Sequence, residues 1–197
     1  MTDAELDDRL AELLVRYDVL TAVQLERARA YQAARQSTLA GALCELHLVA
    51  DDVLRPLLEE LTGVRAVDPS LLTVYPDFIE RTNLLIPPSL VSGLVVFPAQ
   101  MELNAIHVCM VNPTDGWTAR TLESLSGCRI IPAVIHETAL VAAIEKHYGK
   151  YIQTPPRYVV DGGRQSAEDV YRGLLGQSLD DFVQPAVSLI KLPPHAD

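Results

Sequence analysis

A chain of 197 residues, 49% of them hydrophobic, is long enough to bury a sizeable core. Its formal charge of -10 argues against a nucleic-acid surface and equally against an anionic membrane face. No run approaches the roughly 20 uninterrupted apolar residues of a spanning helix, because the most apolar region, Leu84 to Met101, is broken by Pro87, Pro88 and Pro98.

Residues 1 to about 63 read as helices. Thr2 and Glu5 form a capping-box pattern ahead of Leu6, Leu10, Leu13 and Leu14, which recur at helical spacing. Asp18 breaks that stripe. Thr21 and Gln24 make a second box and open a helix carrying Leu25, Ala28 and Tyr31. A third helix follows Ser37, with Leu39, Ala42 and Leu43 inward. Asp51 or Asp52 opens a fourth, which runs through Leu54, Leu57, Leu58 and Leu61 to Gly63, with Pro56 expected in its first turn.

From residue 64 to about 150 the pattern changes. Proline-rich turns enclose short β-branched runs, Leu94 to Phe97, Ala105 to Val111 and Arg129 to Ile135. A helix-sized segment, Thr114 to Ser126, lies between the last two and closes at Gly127. A final helix, Glu137 to Tyr148, presents Leu140, Val141, Ile144 and Tyr148 on one face, after a capping His136. The expected fold class is α+β: a helical subdomain over 1–63, then a small sheet covered by helices over 64–150. Residues 151–197 read as a linker and tail, in which Val170, Tyr171, Leu174, Leu175, Leu179, Phe182 and Val183 form the apolar stripe of a short interaction helix.

Chemistry-bearing constellations are sparse. Cys44, Cys109 and Cys128 are an odd number without framework spacing, so they read as thiols in a reducing compartment, with no metal site. The acid pairs Asp7-Asp8, Asp51-Asp52, Glu59-Glu60 and Asp180-Asp181 read as helix caps and solvated faces. Gly149-Lys150 has Ile144 where a phosphate-binding loop requires glycine, and no Ser or Thr follows. The acidic N-terminus lacks the basic-then-apolar pattern of a secretory leader. The expectation is a cytoplasmic protein that is not an enzyme.

The helical part contains an internal repeat. Aligning Arg9-Leu10-Ala11 with Thr38-Leu39-Ala40 at an offset of 29 residues places Leu14 on Leu43, Val19-Leu20 on Leu48-Val49, and Leu25 on Leu54. The first copy, with Arg9-Leu10-Ala11, Leu14-Val15, Val19-Leu20, Leu25, Ala28 and Gln32, resembles the 24-residue repeat of the MshEN family. These are N-terminal domains of type II secretion and type IV pilus assembly ATPases. The family's layout of two copies and a five-residue spacer is matched by Arg9–Gln32, Ala33–Ser37 and Thr38–Leu61. The second part is similar to the family's α/β half at Ile86-Pro87, Val95-Val96-Phe97-Pro98, His107 through Pro113, and Ile144 to Tyr148. The resemblance covers residues 5 to 150.

Two functions follow from that resemblance. One is a non-catalytic adaptor without the motor, which binds a protein of a secretion, pilus or signalling apparatus or a second copy of itself, and needs no cofactor. The other is a sensor in which the paired repeats hold cyclic di-GMP through Arg9, Leu10, Ala11, Leu14, Gln32, Leu39 and Leu43. An arginine can stack on or hydrogen-bond a guanine, leucines make an apolar bed, and glycine lets backbone approach a ligand closely. Copy one departs from the pattern with Ala11 and Asp18 at glycine positions. Copy two has Thr38 for arginine, Ala40 and His47 for glycine, and Leu61 for glutamine.

Overall fold

In the computed structural model, which describes residues 1–72, 74–114, 116–152 and 156, the first helices begin where their capping residues require. Thr2 starts α1 (Asp3–Arg16) and Thr21 starts α2 (Ala22–Arg35), each as a complete capping box, with Glu5 and Gln24 reaching back to the cap backbone. Thr38 caps α3 (Leu39–Glu45). Ala50 precedes α4 (Asp51–Thr62) without a side-chain cap, and Gly63 closes it in the left-handed conformation. Pro56 is the sixth residue of α4, a turn later than expected. It is exposed, so the Asp52 carbonyl that loses a helical partner can turn to water.

The repeat is visible in the backbone. Asp18 and His47, which are 29 positions apart, both adopt positive φ (54° and 52°). Beside them, Val19 N–H donates to the Leu14 carbonyl and Leu48 N–H to the Leu43 carbonyl. Thr21 and Ala50, again 29 apart, are the extended caps of α2 and α4. Inside the helical layer α1 packs on α3, α2 packs on α3, and α4 packs on α1. The second helices of the two copies therefore flank a central pair. Leu10, Leu14, Leu39, Leu43, Leu54 and Leu58 fill the space between, and Val134 of the sheet joins the same cluster.

The proline-rich stretch after Gly63 holds more helix than its sequence suggests. A 3-10 turn (Pro69–Leu71), α5 (Pro76–Asn83) and α6 (Pro88–Leu94) each begin on a proline. At the first helical position the missing N–H has no intrahelical acceptor to lose, and the fixed φ is already helical. The three strands β1 (Val96–Glu102), β2 (Ala105–Met110) and β3 (Arg129–Val134) form one sheet in the order β1-β2-β3. β1 and β2 make a hairpin with a register shift between Pro98 and Gln100. β2 and β3 run parallel, joined through α7 (Gly116–Ser126). α8 (Glu137–Tyr148) packs across β1 and β2, and Tyr148 meets Phe97 edge-on at 5.8 Å. The fold is mixed α+β, and the described residues belong to one compact unit.

Candidate functional site

The residues that would hold a ligand in the repeats fall into two groups. Leu10, Ala11, Leu14, Leu39 and Leu43 are buried and face the helical core. Arg9 is exposed on α1, in a stripe with Glu5, Glu12 and Arg16. Its charge helps hold the Glu5 carboxyl below its ordinary range, behind the larger effect of the Thr2 backbone hydrogen bond. Thr38, the counterpart of Arg9, is a buried cap rather than a mid-helix residue, because α3 starts seven residues later in its copy than α1 does. The stripe from Val170 to Val183 lies outside the described residues.

Gln32 is bound within the chain. Its Nε2 donates to Asp7 Oδ2 (2.5 Å), and its Oε1 accepts from Arg29 Nη1 (3.1 Å). Arg29 also reaches Asp8 Oδ1 at 2.6 Å. The other oxygen of Asp7 accepts from Leu39 N–H, the first helical amide of α3, at 3.0 Å. One residue earlier, Thr38 N–H donates to Glu137 Oε2 at 2.8 Å, while the Thr38 hydroxyl accepts from Gly41 N–H at 3.0 Å. The opening turn of α3 is thus held by Asp7 from α1 and Glu137 from α8. These groups satisfy amides that a helix start leaves without partners.

Burial sets the electrostatics of this cluster. It pushes the Asp7 carboxyl up to about 7, against the opposing effects of Leu39 N–H, Arg29 and Gln32. It also raises Glu137, although the Thr38 contacts pull the other way. Next to it, the His136 ring is held below its ordinary value by burial, with Asp51 opposing. Its Nδ1 accepts from Ala139 N–H, so the neutral ring carries its proton on Nε2, which lies 3.2 Å from Asp51 Oδ1. Gly41 makes this approach possible, since a Cβ there would sit 3.1 Å from both Glu137 Oε2 and Thr38 Oγ1.

Asp7 reads in sequence as part of a solvated acid pair, yet it is 3% exposed. The signal was its position: it precedes Leu10 by three and Leu14 by seven, which puts it on the apolar face. Glu137 and Gly41 carry no comparable signal, because their roles arise only when α8 reaches α3. Among the described residues, no three His, Cys, Asp or Glu side chains group as metal ligands. Burial raises the Cys44 thiol to about 11 and the Cys109 thiol to about 12, so neither supplies a thiolate near neutral pH.

Residues 62–152, which begin at the last residue of α4 and run past α8, match the model of the MshEN domain. Over this stretch the chain is similar to the MshEN domain. The repeats at residues 9–61 precede the matched stretch. Over 145 residues the chain is 27% identical to the type IV pilus assembly ATPase PilB of Myxococcus xanthus, covering 74% of this chain and 25% of that protein. Over 155 residues it is 24% identical to the PilB of Thermus thermophilus, covering 76% of this chain and 17% of that protein. The chain therefore spans a quarter or less of the length of these relatives. A solved structure of MshE with cyclic di-GMP shares the fold of this chain, with a TM-score of 0.51 and 22% identity. That likeness covers 71% of this chain and 99% of the other. No helix among the described residues is long and apolar enough to cross a membrane.

Proposed function

We propose that this chain is a non-catalytic docking module that binds a protein component of a pilus or secretion apparatus in the cytoplasm. One observation supports this over ligand sensing: the polar groups at the start of the second repeat are already satisfied within the chain. Thr38 N–H is taken by Glu137, Leu39 N–H by Asp7, and the Gln32 side chain by Asp7 and Arg29. A ligand entering there would have to displace buried contacts, and the leucines beneath them are closed in the core. The resemblance to motor ATPases points to the inner-membrane platform as the docking partner. The tail stripe, Val170, Leu174, Leu175, Leu179 and Phe182, is a second contact region in this proposal.

The test is interferometry with the cytoplasmic part of the platform protein from the same genome. The full chain is expected to bind it with or without cyclic di-GMP, and deletion of 160–197 is expected to weaken that binding. No binding in either condition would remove the docking reading. A second reading, a cyclic di-GMP sensor, draws on the likeness to MshE with cyclic di-GMP and on the exposed Arg9. It requires that Arg9→Ala abolish nucleotide binding.

A further inference from the structure

One buried histidine sits where the second repeat meets the α/β half. His136 is 8% exposed and stands one residue before α8. Its Nδ1 accepts from Ala139 N–H at 3.3 Å, which caps the helix, and its Nε2 faces Asp51 Oδ1, on the first residue of α4, at 3.2 Å. Arg55 lies 2.9 Å from the other oxygen of Asp51 and reaches Asp68, which caps the 3-10 turn, at 3.0 Å. The next residue, Glu137, accepts from Thr38 N–H at the start of α3. The opening turn of α8 is thus fastened to α3 through Glu137 and to α4 through His136. Of the other elements packed on α8, α6 carries no charged residue, Glu45 of α3 accepts from the Tyr31 hydroxyl, and Glu102 of β1 pairs with His107 of β2.

We propose that proton uptake by His136 uncaps α8 and unfastens it from the second repeat, so that this junction is a switch closed at neutral pH and loosened in acid. The neutral ring has one free lone pair, on Nδ1, and the cap uses it. A second proton can only go there, where it meets Ala139 N–H as donor against donor. Little is gained on the Asp51 side, because Nε2 already carries a proton. Arg55 also offsets the Asp51 carboxylate and repels a second cation. The positive end of the α8 dipole disfavours a charged ring as well. Burial holds the ring below its ordinary value, in the same sense. A value depressed on folding means that this contribution to stability is complete above about pH 6.5 and is lost as pH falls through the depressed value. Asp7 and Glu137, both raised by burial, change in the opposite direction over acid pH, so the effect of His136 must be read against a variant that keeps them.

Amide hydrogen exchange and NMR of the ring nitrogens, on the full chain between about pH 7.5 and about pH 5.5, test this. At the upper end the His136 ring should be the tautomer protonated on Nε2. The reference is His136→Asn, which keeps a capping oxygen and does not titrate. Relative to it, the wild-type protection factors of the Ala139 and Thr38 amides should drop together as the ring protonates, by up to about tenfold per pH unit below about 6.5. Should His136→Asn fail to fold, His136→Ser also keeps a cap oxygen without a titration in this range and serves the same comparison. A ring that protonates while Ala139 stays protected would overturn the proposal. So would a ring that remains neutral to about pH 5.5, a neutral ring with its proton on Nδ1, or a variant that loses protection in step with the wild type.

Discussion

At Asp7 a carboxyl that would rest near pH 3.9 in a solvated chain is held at about 7 by burial. A value raised on folding means that the folded chain binds the proton more tightly. The contribution of this group to stability is therefore complete below about pH 4 and is lost as pH rises through about 7. Asp7→Asn keeps an acceptor for Leu39 N–H and removes the titration. The stability difference between wild type and variant should shift in favour of the variant by up to about 4 kcal/mol between pH 4 and 8. Chemical denaturation at several pH values measures it, and a pH-independent difference would show that Asp7 is not the buried titrating group. Glu137 contributes in the same direction, whereas His136, depressed on folding, loses stability as pH falls below about 6.5. The comparison with the variant isolates Asp7 from both.

Asp18 and His47 make a second residue-scale point. Both stand where the family repeat has glycine, and both adopt the left-handed backbone that glycine adopts without cost. The repeat's glycine is thus explained by the turn that ends α1 and α3, independently of any ligand. Asp18→Gly and His47→Gly should each raise stability by about 0.5–1 kcal/mol, read as a higher denaturant midpoint. A fall in midpoint at either position would mean that its side chain makes contacts worth more than the backbone strain.

At the scale of elements, the sequence was most legible where caps and periodicity agreed. The boxes at Thr2 and Thr21 start α1 and α2, and α8 spans the same residues, Glu137–Tyr148, that its apolar face and capping His136 suggest. α5 and α6 were hidden because Pro76 and Pro88 read as turns, although proline is at home on a helix's first residue. β1 runs on to Glu102, well past Phe97, because pairing with β2 sustains a half that alternates polar and apolar on an exposed edge. In the candidate site, leucine burial was legible from spacing. The clamp on α3 was not, since it brings Asp7 and Glu137 to the opening turn of that helix, and Glu137 lies 99 residues beyond Thr38 in the chain. Gly41→Ala tests that clamp. Its Cβ would press on Glu137 and Thr38, so a loss of about 1–3 kcal/mol is expected. An unchanged melting curve would show that α8 is free to move away from α3.

Over the whole molecule, the helical repeats and the α/β half are tied at several points around one junction. Val134 of β3 enters the leucine core of the repeats and pairs with Ala66. Asn112 Nδ2 donates to the Met1 carbonyl and to Asp3 Oδ1. Glu137 and His136 meet α3 and α4. A ligand that separated the repeats would have to strain this junction as well, so a docking module that is rigid here is the more economical reading. Calorimetric titration of cyclic di-GMP into the full chain at pH 7 tests that reading most directly. The docking account predicts no saturable heat up to about 100 µM nucleotide, which places any affinity weaker than about -5.5 kcal/mol. Saturable binding at low micromolar nucleotide, abolished by Arg9→Ala, would contradict it and establish the chain as a sensor.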